Sequence, residues 1–393
     1  MNLYCDITLP ASKSESNRVL MIASYGGFAP DFQNLSDSHD TKVLLEALSS
    51  LPSMSFLWKN EGGQESIEGR RHIIDIADCG TAARFMTTYL ACHEGDWLLT
   101  GTERMRQRPM APLVDALRTL GANIQYVGNK GCLPLLIKGN QIMGGKTSVD
   151  MAQSSQYASS MLLAAPMFPQ GLELELLGEP SSWPYLDMTL DIMCHFLAQV
   201  KRQGRTVIVQ PKSYKQLDFT IEPDWTAASY WYEMAAFSEE CEIRLHGLSL
   251  PSLQGDSVIA EWMKPLGVGT FFENDAIVLR KIPFEKQSLS FDFSQHPDLY
   301  PTMAAVCAGR NVDATFTGLH NLAFKESDRV ESMQMELSRL NNRPVRFCAH
   351  NDHRIVMALA PLSMLVGPVS FDHPEVVMKS YPNYWKETSF LRV

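Results

Sequence analysis

The fold is decided by a pattern that first occurs in residues 9–23, LPASKSESNRVLMIA, where a short apolar strand ends in a turn and a helix follows. Ser12 is a favourable helix N-cap. The helix after it, which includes Val19 to Ala23, is apolar on almost every face. A helix that lacks a polar face is expected to be buried rather than to lie on the surface.

The same pattern recurs along the chain and gives six strand-to-helix junctions, at residues 12–14, 79–81, 154–156, 224–226, 296–298 and 351–353. In most repeats a strand and an amphipathic helix follow the buried helix; these second helices are predicted at residues 42–48, 113–120, 186–197, 258–266 and 328–340. Each buried helix has an N-terminus with unpaired N–H groups and a positive dipole end. Such ends predict ligands that carry phosphate or carboxylate groups.

The repeats indicate how the chain is divided. A chain of 393 residues is long for one core, and six repeats divide naturally into three and three. We place the hinge at residues 221–224, where a strand ends and the fourth repeat begins. The predicted domains are residues 12–222 and residues 1–11 together with 223–393, because the first strand, residues 4–9, precedes the first repeat and is expected to pair with the second domain.

Composition excludes several classes of protein. Apolar residues make up 45% of the chain and charged residues 20%, the balance of a soluble globular protein. The net charge of −10 argues against a nucleic-acid partner. The N-terminus does not look like a signal peptide and no apolar run reaches membrane-spanning length, so we expect no membrane and a cytoplasmic location. The eight cysteines are scattered without a C-x-x-C pair and the histidines lack ligand spacing, so neither a disulfide framework nor a metal site is expected.

Four basic clusters lie at or near the junctions: residues 9–18, residues 78–84 with 104–109, residues 325–329, and residues 351–354 with Lys379. Taken singly, the first cluster fits a capped helix and the third a surface ion pair better than an anion site, and the basic turn of the second, residues 104–109, fits a solvated turn about as well as an anion site. In the third, Lys325 and Arg329 are expected to share one helical face, with Glu326 turned about 100° away. In the fourth, Arg354 falls one turn into a buried helix, where it needs a charged partner or a bound anion.

Taken together and in this order, the clusters resemble the family of 5-enolpyruvylshikimate-3-phosphate (EPSP) synthases, the 3-phosphoshikimate 1-carboxyvinyltransferases. The combination of S-K-S-x-S-N-R, K-E-x-D-R and N-D-H-R is specific, and the matching stretches span nearly the whole chain: residues 9–18, 79–84, 104–109, 154–156, 182–185, 297–298, 321–329, 351–354 and 379. The resemblance implies an α/β fold of two similar domains, each of three β-α-β-α-β-β units. This is the inside-out α/β barrel of the enolpyruvyl transferases, with the active site in the interdomain cleft.

The resemblance also implies a reaction. The enolpyruvyl group of phosphoenolpyruvate would pass to the 5-hydroxyl of shikimate 3-phosphate with release of phosphate, through a tetrahedral intermediate, in the shikimate pathway to chorismate and the aromatic amino acids. No metal or organic cofactor is expected, and the family-based expectation is a monomer. The residues implied for shikimate 3-phosphate are Lys13, Ser14, Arg18, Ser154, Ser155, Gln156, Ser182, Asp298, Asn321 and Lys325. Those implied for phosphoenolpyruvate are Lys13, Gly80, Arg108, Gln156, Arg329, Arg354 and Lys379.

The reaction needs an acid for the methylene carbon and a base for the hydroxyl proton. We assign Glu326 as the acid and Asp298 as the base, with Lys13 as a further catalytic residue. The two carboxyls can exchange roles in the second step, so the sequence leaves open which one moves which proton.

Four positions depart from the family pattern: Ala11 replaces a usual Gly, Asp78 a usual Asn and Phe85 a usual Pro, and Trp183 interrupts residues 182–185. These changes put sensitivity to phosphonate inhibitors in doubt. Two other interpretations fit less well, because the N-D-H-R and S-K-S-x-S-N-R motifs, both candidate carboxyls and every expected cation are present. One is the related UDP-N-acetylglucosamine enolpyruvyl transferase, for which Cys79 would be the reactive cysteine, and the other is a non-catalytic anion-binding protein of the same fold.

Overall fold

The computed structural model describes residues 1–51, 72–178, 181–284 and 288–393. The strands in chain order are β1 Leu3–Ile7, β2 His72–Asp75, β3 Gly95–Thr100, β4 Asn123–Tyr126, β5 Leu135–Gly139, β6 Gly145–Asp150, β7 Leu172–Leu177, β8 Val200–Gln203, β9 Thr206–Val209, β10 Cys241–His246, β11 Val268–Glu273, β12 Ala276–Lys281, β13 Leu289–Asp292, β14 Ala314–Thr317, β15 Val345–Phe347 and β16 Val369–Phe371. The α-helices are α1 Lys13–Gly26, α2 His39–Ser49, α3 Gly80–Cys92, α4 Ala111–Thr119, α5 Gln156–Ala164, α6 Trp183–His195, α7 Trp225–Phe237, α8 Ile259–Trp262, α9 Tyr300–Arg310, α10 Arg329–Leu337, α11 His353–Leu359, α12 Ser363–Val366 and α13 Tyr384–Glu387.

The chain forms two compact units. The N-terminal unit comprises Lys13–Leu35 and Asp40–Ile221, and the C-terminal unit comprises Met1–Ser12, Ser36–His39 and Glu222–Val393. The domains inferred from the sequence, residues 12–222 and residues 1–11 with 223–393, stay a prediction about which parts of the chain fold independently.

Three four-stranded sheets share one topology. Two belong to the N-terminal unit, with the orders β2-β3-β5-β4 and β6-β7-β9-β8. In each, the first pair is parallel, because a helix crosses between the two strands, and the remaining pairs are antiparallel. The third sheet, β1-β10-β12-β11, follows the same scheme in the C-terminal unit. There β1 takes the first position and pairs in parallel with β10, which confirms the expected pairing of the first strand.

The six predicted junctions are confirmed as helix starts. Helices α1, α3, α5, α7 and α11 begin within them, and α9 follows the 3-10 turn Pro297–Leu299. These helices are buried as predicted; in α7, for example, every residue from Trp225 to Phe237 is buried. Asp224 caps α7 by accepting the backbone N–H of Ala227 at 2.9 Å. This cap satisfies one of the N–H groups that the first turn of a buried helix leaves without an intrahelical partner.

Two local predictions are wrong. The helix predicted at residues 258–266 ends at Trp262, because Pro265 disfavours helical geometry in the residue before it. Lys325 and Arg329 do not share a helical face. Lys325 is extended and α10 begins only at Arg329, since the Asp328 carboxylate accepts the backbone N–H of Glu331 at 3.1 Å and caps the helix there.

In the part of the chain described, no helix is both long and apolar enough to cross a membrane. All eight cysteines lie within the described residues, and none of them forms a disulfide bond.

A carboxyl group is buried in the core of the C-terminal unit. Glu233 lies on α7 and is fully buried, and neither of its side-chain oxygens has a hydrogen-bond partner among the described residues. Burial raises the pKa of Glu233 well above its usual value, because the charged form loses its hydration. The folded protein therefore holds Glu233 as a neutral acid.

Replacing Glu233 by Met, which has a similar volume and no ionisable group, should stabilise the protein by about 1–3 kcal/mol near pH 8. A carboxyl whose pKa is raised on folding contributes stability below its unfolded pKa of about 4.3, and that stability is lost as the pH rises towards the folded pKa. Urea unfolding near pH 5 and near pH 8 tests this, with Glu233→Gln as the variant that removes only the ionisation. If Glu233→Met raises the free energy of unfolding no more near pH 8 than near pH 5, Glu233 is not a neutral acid in the folded protein.

Candidate active site

Arg329 is the centre of a buried charge cluster in the C-terminal unit. It is the first residue of α10 and is 1% exposed. Its guanidinium donates to three carboxylates, from Nε to Asp352 at 2.8 Å, from Nη1 to Asp298 at 2.7 Å and from Nη2 to Glu326 at 2.9 Å. Burial opposes the positive charge, but the carboxylates outweigh burial and raise the pKa of Arg329. Asp298 and Glu326, the two carboxyls predicted to be catalytic, therefore accept hydrogen bonds from the same guanidinium.

Asp298 is surrounded by positive charge. It lies in the 3-10 turn Pro297–Leu299 with its side chain 16% exposed. In addition to Arg329, Arg354 donates from Nη2 to Oδ2 at 2.9 Å, and the Nζ of Lys325 lies 3.9 Å from Oδ1. Desolvation raises the pKa of Asp298, but the charges of Arg354, Lys325 and Arg329 outweigh it and hold that pKa well below the usual range. Asp298 is therefore ionised at neutral pH.

Two further carboxyl groups, which the sequence analysis did not assign to the site, belong to this cluster. Asp352 is fully buried and caps α11 by accepting the backbone N–H of Arg354 at 3.0 Å. Asp256 is 3% exposed and accepts the hydroxyl of Thr226 at 2.5 Å. Burial, followed by the negative charge of Asp298, raises the pKa of Asp256 to about 7. Asp256 therefore holds a proton more strongly than an ordinary aspartate does.

Two other predicted binding residues of the C-terminal unit are buried polar groups. Asn321 is 1% exposed, and its side-chain oxygen has no hydrogen-bond partner among the described residues. Lys379 is 6% exposed and ends the 3-10 helix Pro374–Lys379. Buried polar atoms are normally hydrogen-bonded, so the amide of Asn321 retains capacity for a ligand.

Lys13 is paired with a carboxylate in the N-terminal unit. It opens α1, and its Nζ lies 3.0 Å from Oδ2 of Asp40, a residue that the sequence analysis missed. Cys79 lies nearby, with its sulfur 3.6 Å from the backbone oxygen of Asp40. The same sulfur accepts the backbone N–H of Ala82 at 3.3 Å and caps α3. Cys79 is fully buried, so its geometry fits a structural cap rather than a reactive nucleophile.

Arg18 makes its hydrogen bonds to neutral groups. Its guanidinium donates to the hydroxyl of Thr189 at 2.7 Å, to the backbone oxygen of Ser14 at 2.7 Å and to that of Tyr185 at 2.9 Å. Burial lowers the pKa of Arg18 to about 10, so the guanidinium is still charged at neutral pH. Ser14 and Arg18 thus lie one turn apart on α1, as predicted.

Arg108 lies directly against Gly80 at the start of α3. A Cβ atom at position 80 would lie 2.6 Å from Nη1 and 3.0 Å from Cζ of Arg108, which is too close for real atoms. Arg108 follows the 3-10 turn Met105–Gln107. The absence of a side chain at Gly80 therefore lets a guanidinium lie on a helix N-terminus, where backbone N–H groups also favour an anion.

Polar side chains surround the N-terminus of α5. Ser155 is its N-cap residue and is 4% exposed, and the hydroxyl of Ser154 accepts the backbone N–H of Gln156 at 3.2 Å. The side-chain amide of Gln156 donates to the hydroxyl of Thr81 on α3 at 3.0 Å. Ser182, 5% exposed with a φ of 58°, precedes α6. The structure thus joins the starts of α3 and α5, which are far apart in the sequence.

Two of the residues that depart from the family pattern, Phe85 and Trp183, contribute to packing. Phe85 is 1% exposed and belongs to the core. Trp183 opens α6, and the guanidinium of Arg202 lies 3.9 Å from its ring centroid. No group of three or more His, Cys, Asp and Glu side chains within the described ranges is arranged to hold a metal ion.

Comparison with solved structures gives the fold class. The structure of EPSP synthase from Acinetobacter baumannii matches with a TM-score of 0.73 at 20% sequence identity, and the match covers 99% of this chain and 96% of that chain. The predicted fold class, an α/β fold of the EPSP synthase type, is thereby confirmed. The described strands form several small sheets, and none of these closes into a barrel.

Comparison of sequences then gives the family. The family model for EPSP synthase (3-phosphoshikimate 1-carboxyvinyltransferase) matches residues 1–388. The 3-phosphoshikimate 1-carboxyvinyltransferase of Bacteroides fragilis strain YCH46 is 40% identical over 402 residues, which cover 97% of this chain and 93% of that protein. The protein of the same name from Methanospirillum hungatei is 32% identical, with 96% and 94% covered. The chain belongs to the EPSP synthase family, and the predictions of this family and of an enzyme of the transferase class are confirmed.

The contacts of Arg329 predict that two helix caps differ greatly in their contribution to the free energy of unfolding. Asp352→Ala should lower the free energy of unfolding by about 3–5 kcal/mol, because it removes a cap and also leaves a buried guanidinium without one of its carboxylates. Asp328→Ala, which removes only the cap of α10, should cost about 1 kcal/mol. Urea denaturation of the two variants measures both values. Equal losses would mean that the ion pair between Asp352 and Arg329 contributes nothing to stability.

Proposed function

We propose that this protein transfers the enolpyruvyl group of phosphoenolpyruvate to the 5-hydroxyl of shikimate 3-phosphate and releases phosphate, by addition and elimination through a tetrahedral intermediate. The reaction belongs to the shikimate pathway, which leads to chorismate and the aromatic amino acids. The observation that carries the proposal is the placement of Asp298 and Glu326 on the single guanidinium of Arg329, in a chain that belongs to the EPSP synthase family. The monomeric state, the cytoplasmic location and the lack of a cofactor stay predictions.

The proposed ligand sets follow the resemblance and are supported by the local geometry. Shikimate 3-phosphate is bound by Lys13, Ser14, Arg18, Ser154, Ser155, Gln156, Ser182, Asp298, Asn321 and Lys325. Phosphoenolpyruvate is bound by Lys13, Gly80, Arg108, Gln156, Arg329, Arg354 and Lys379. Serine hydroxyls at the start of α5 and guanidinium groups beside helix N-termini are the donors that phosphates and carboxylates require.

The chemistry proceeds in two steps. In the first, the 5-hydroxyl oxygen attacks C2 of phosphoenolpyruvate and Asp298 accepts the hydroxyl proton, while Glu326, which takes up a proton from solvent before this step, gives it to C3, which becomes a methyl group. In the second, the bond between C2 and the phosphate oxygen breaks, phosphate leaves, and a proton is lost from the methyl group to restore the double bond. Glu326, which is a carboxylate after the first step, is one candidate for that last transfer, and Asp298 is the other only if it first passes its proton to the departing phosphate.

Substrate binding itself should make Asp298 a better base. In the resting cluster, Arg329, Arg354 and Lys325 together hold the pKa of Asp298 low. Phosphate and carboxylate groups that bind these cations bring additional negative charge, and negative charge raises the pKa of a nearby carboxyl. Asp298 therefore gains affinity for a proton at the moment when the hydroxyl group has to lose one.

Phosphate release from phosphoenolpyruvate tests the proposed function. We expect release with shikimate 3-phosphate and none with UDP-N-acetylglucosamine. Asp298→Asn should lower kcat by about 100- to 10,000-fold, the usual contribution of a general base. Asp313→Asn, the same change at an exposed carboxyl of the same unit, should leave kcat unchanged.

Each contrary result points to a defined alternative. Release with the UDP-sugar alone would indicate the related enolpyruvyl transferase, and release with neither acceptor would favour an anion-binding protein. Full activity in Asp298→Asn would remove Asp298 from the catalytic machinery without touching the choice of substrate.

A further inference from the structure

In the loop that carries Arg108, one backbone oxygen accepts hydrogen bonds from the side chains of two helices, α3 and α5. After the 3-10 turn Met105–Gln107 the chain is extended at Arg108 and continues into Pro109. The carbonyl oxygen of Pro109 accepts two hydrogen bonds, from the hydroxyl of Tyr157 at 2.7 Å and from Nη2 of Arg84 at 2.9 Å. Proline has no N–H and so makes no backbone donation of its own. Its carbonyl is therefore the point at which helices α3 and α5 hold this part of the loop.

The anchoring side chains also bind the surface on which Arg108 rests. Arg84 donates from Nη1 to the backbone oxygen of Gly80 at 3.0 Å, so its one guanidinium joins Gly80 to Pro109. The guanidinium of Arg108 lies against the same Gly80. Arg84 and Tyr157 are 2% and 0% exposed, and the guanidinium of Arg84 lies 5.7 Å from the ring centroid of Tyr157. Two buried donors thus determine the distance between the backbone of the Arg108 loop and the glycine under its side chain.

We infer that Tyr157 is a positioning residue that acts with Arg84 to fix Arg108, and thereby tunes the affinity for the phosphoenolpyruvate anion. The inference rests on the proposed function, in which Arg108 binds phosphoenolpyruvate. A guanidinium recognises a phosphate or carboxylate through directed hydrogen bonds, so a loop that moves by a fraction of an ångström loses part of that binding. Tyr157 does not need to touch the substrate for this effect.

Tyr157→Phe isolates the effect, because it removes a single hydroxyl and leaves the packed ring in place. Losing one of the two hydrogen bonds to Pro109 should raise the KM for phosphoenolpyruvate by about three- to tenfold. The KM for shikimate 3-phosphate should stay unchanged, and kcat should stay within about twofold. A merely structural role would lower thermal stability without this selective change in one KM.

Tyr214→Phe is the matched control. The hydroxyl of Tyr214 also donates to a backbone oxygen, that of Leu163, at 2.9 Å, and Tyr214 is buried in the same unit. The variant therefore loses the same kind of hydrogen bond at a place that does not anchor Arg108. We expect a comparable loss of thermal stability and no change in either KM.

A double-mutant cycle tests whether Tyr157 acts through Arg108. In an Arg108→Lys background, which lacks the planar fork of the guanidinium, Tyr157→Phe should raise the KM for phosphoenolpyruvate by less than twofold. Coupling of this kind is expected only for residues that share an interaction. A full additional three- to tenfold increase would show that Tyr157 acts by another route and would overturn the inference.

The outcomes separate this inference from the proposed function. A wild-type protein that releases no phosphate from the two substrates would overturn both. An active wild-type protein with an unchanged KM for phosphoenolpyruvate in Tyr157→Phe, or with both KM values raised equally, would overturn only the positioning role.

Discussion

A guanidinium that is buried has to be compensated, and Arg329 meets this requirement with carboxylates from three separate segments. An unpaired charge at this place would cost several kcal/mol, so the 3-10 turn that carries Asp298, the segment before α10 that carries Glu326 and the start of α11 are all bound to Arg329 at the start of α10. Regular secondary structure does not hold Glu326, because α10 begins three residues later. The fixed positions of the two proposed catalytic carboxyls are thus a consequence of charge compensation.

The N-terminal unit stabilises its buried Arg18 in a different way. Arg18 donates to a hydroxyl and two backbone oxygens. Dipoles of neutral groups stabilise a positive charge without cancelling it, so this site keeps a positive field even though the whole chain has a net charge of −10. Under the proposed function, the N-terminal unit is suited to holding anions, and the carboxylate-rich cluster of the C-terminal unit is suited to moving protons.

The sequence predicted the parts of this arrangement that depend on local chemistry. The strand, cap and apolar helix are consecutive in the chain, so all six junctions were found, and Arg354 could be recognised as a buried cation in need of a partner. Partners distant in sequence were not found. Asp40 lies 27 residues from Lys13 and Asp352 lies 23 residues from Arg329, and no spacing rule connects such pairs.

Two other results mark the limits of local patterns. The helix predicted through residues 325–329 was wrong because the strong N-cap Asp328 stands between Lys325 and Arg329, and a cap decides where a helix begins more firmly than the periodicity before it. Tyr157 was not identified from sequence at all. Its role depends on a hydroxyl that reaches the oxygen of Pro109, 48 residues away. The roles of individual site residues were predicted from the resemblance to a family. The geometry supports these roles, but local sequence patterns alone did not predict them.

The central claim is that the cations Arg108, Arg329 and Arg354, although they contact other groups of the protein, bind two anionic reactants. A crystal structure of Asp298→Asn with shikimate 3-phosphate and phosphoenolpyruvate tests this claim directly. We expect phosphate or carboxylate oxygens within about 3 Å of the guanidinium groups of Arg108 and Arg354 and of the hydroxyls of Ser154 and Ser155. Ligands bound elsewhere, with Arg108 and Arg354 still contacting protein atoms alone, would contradict it.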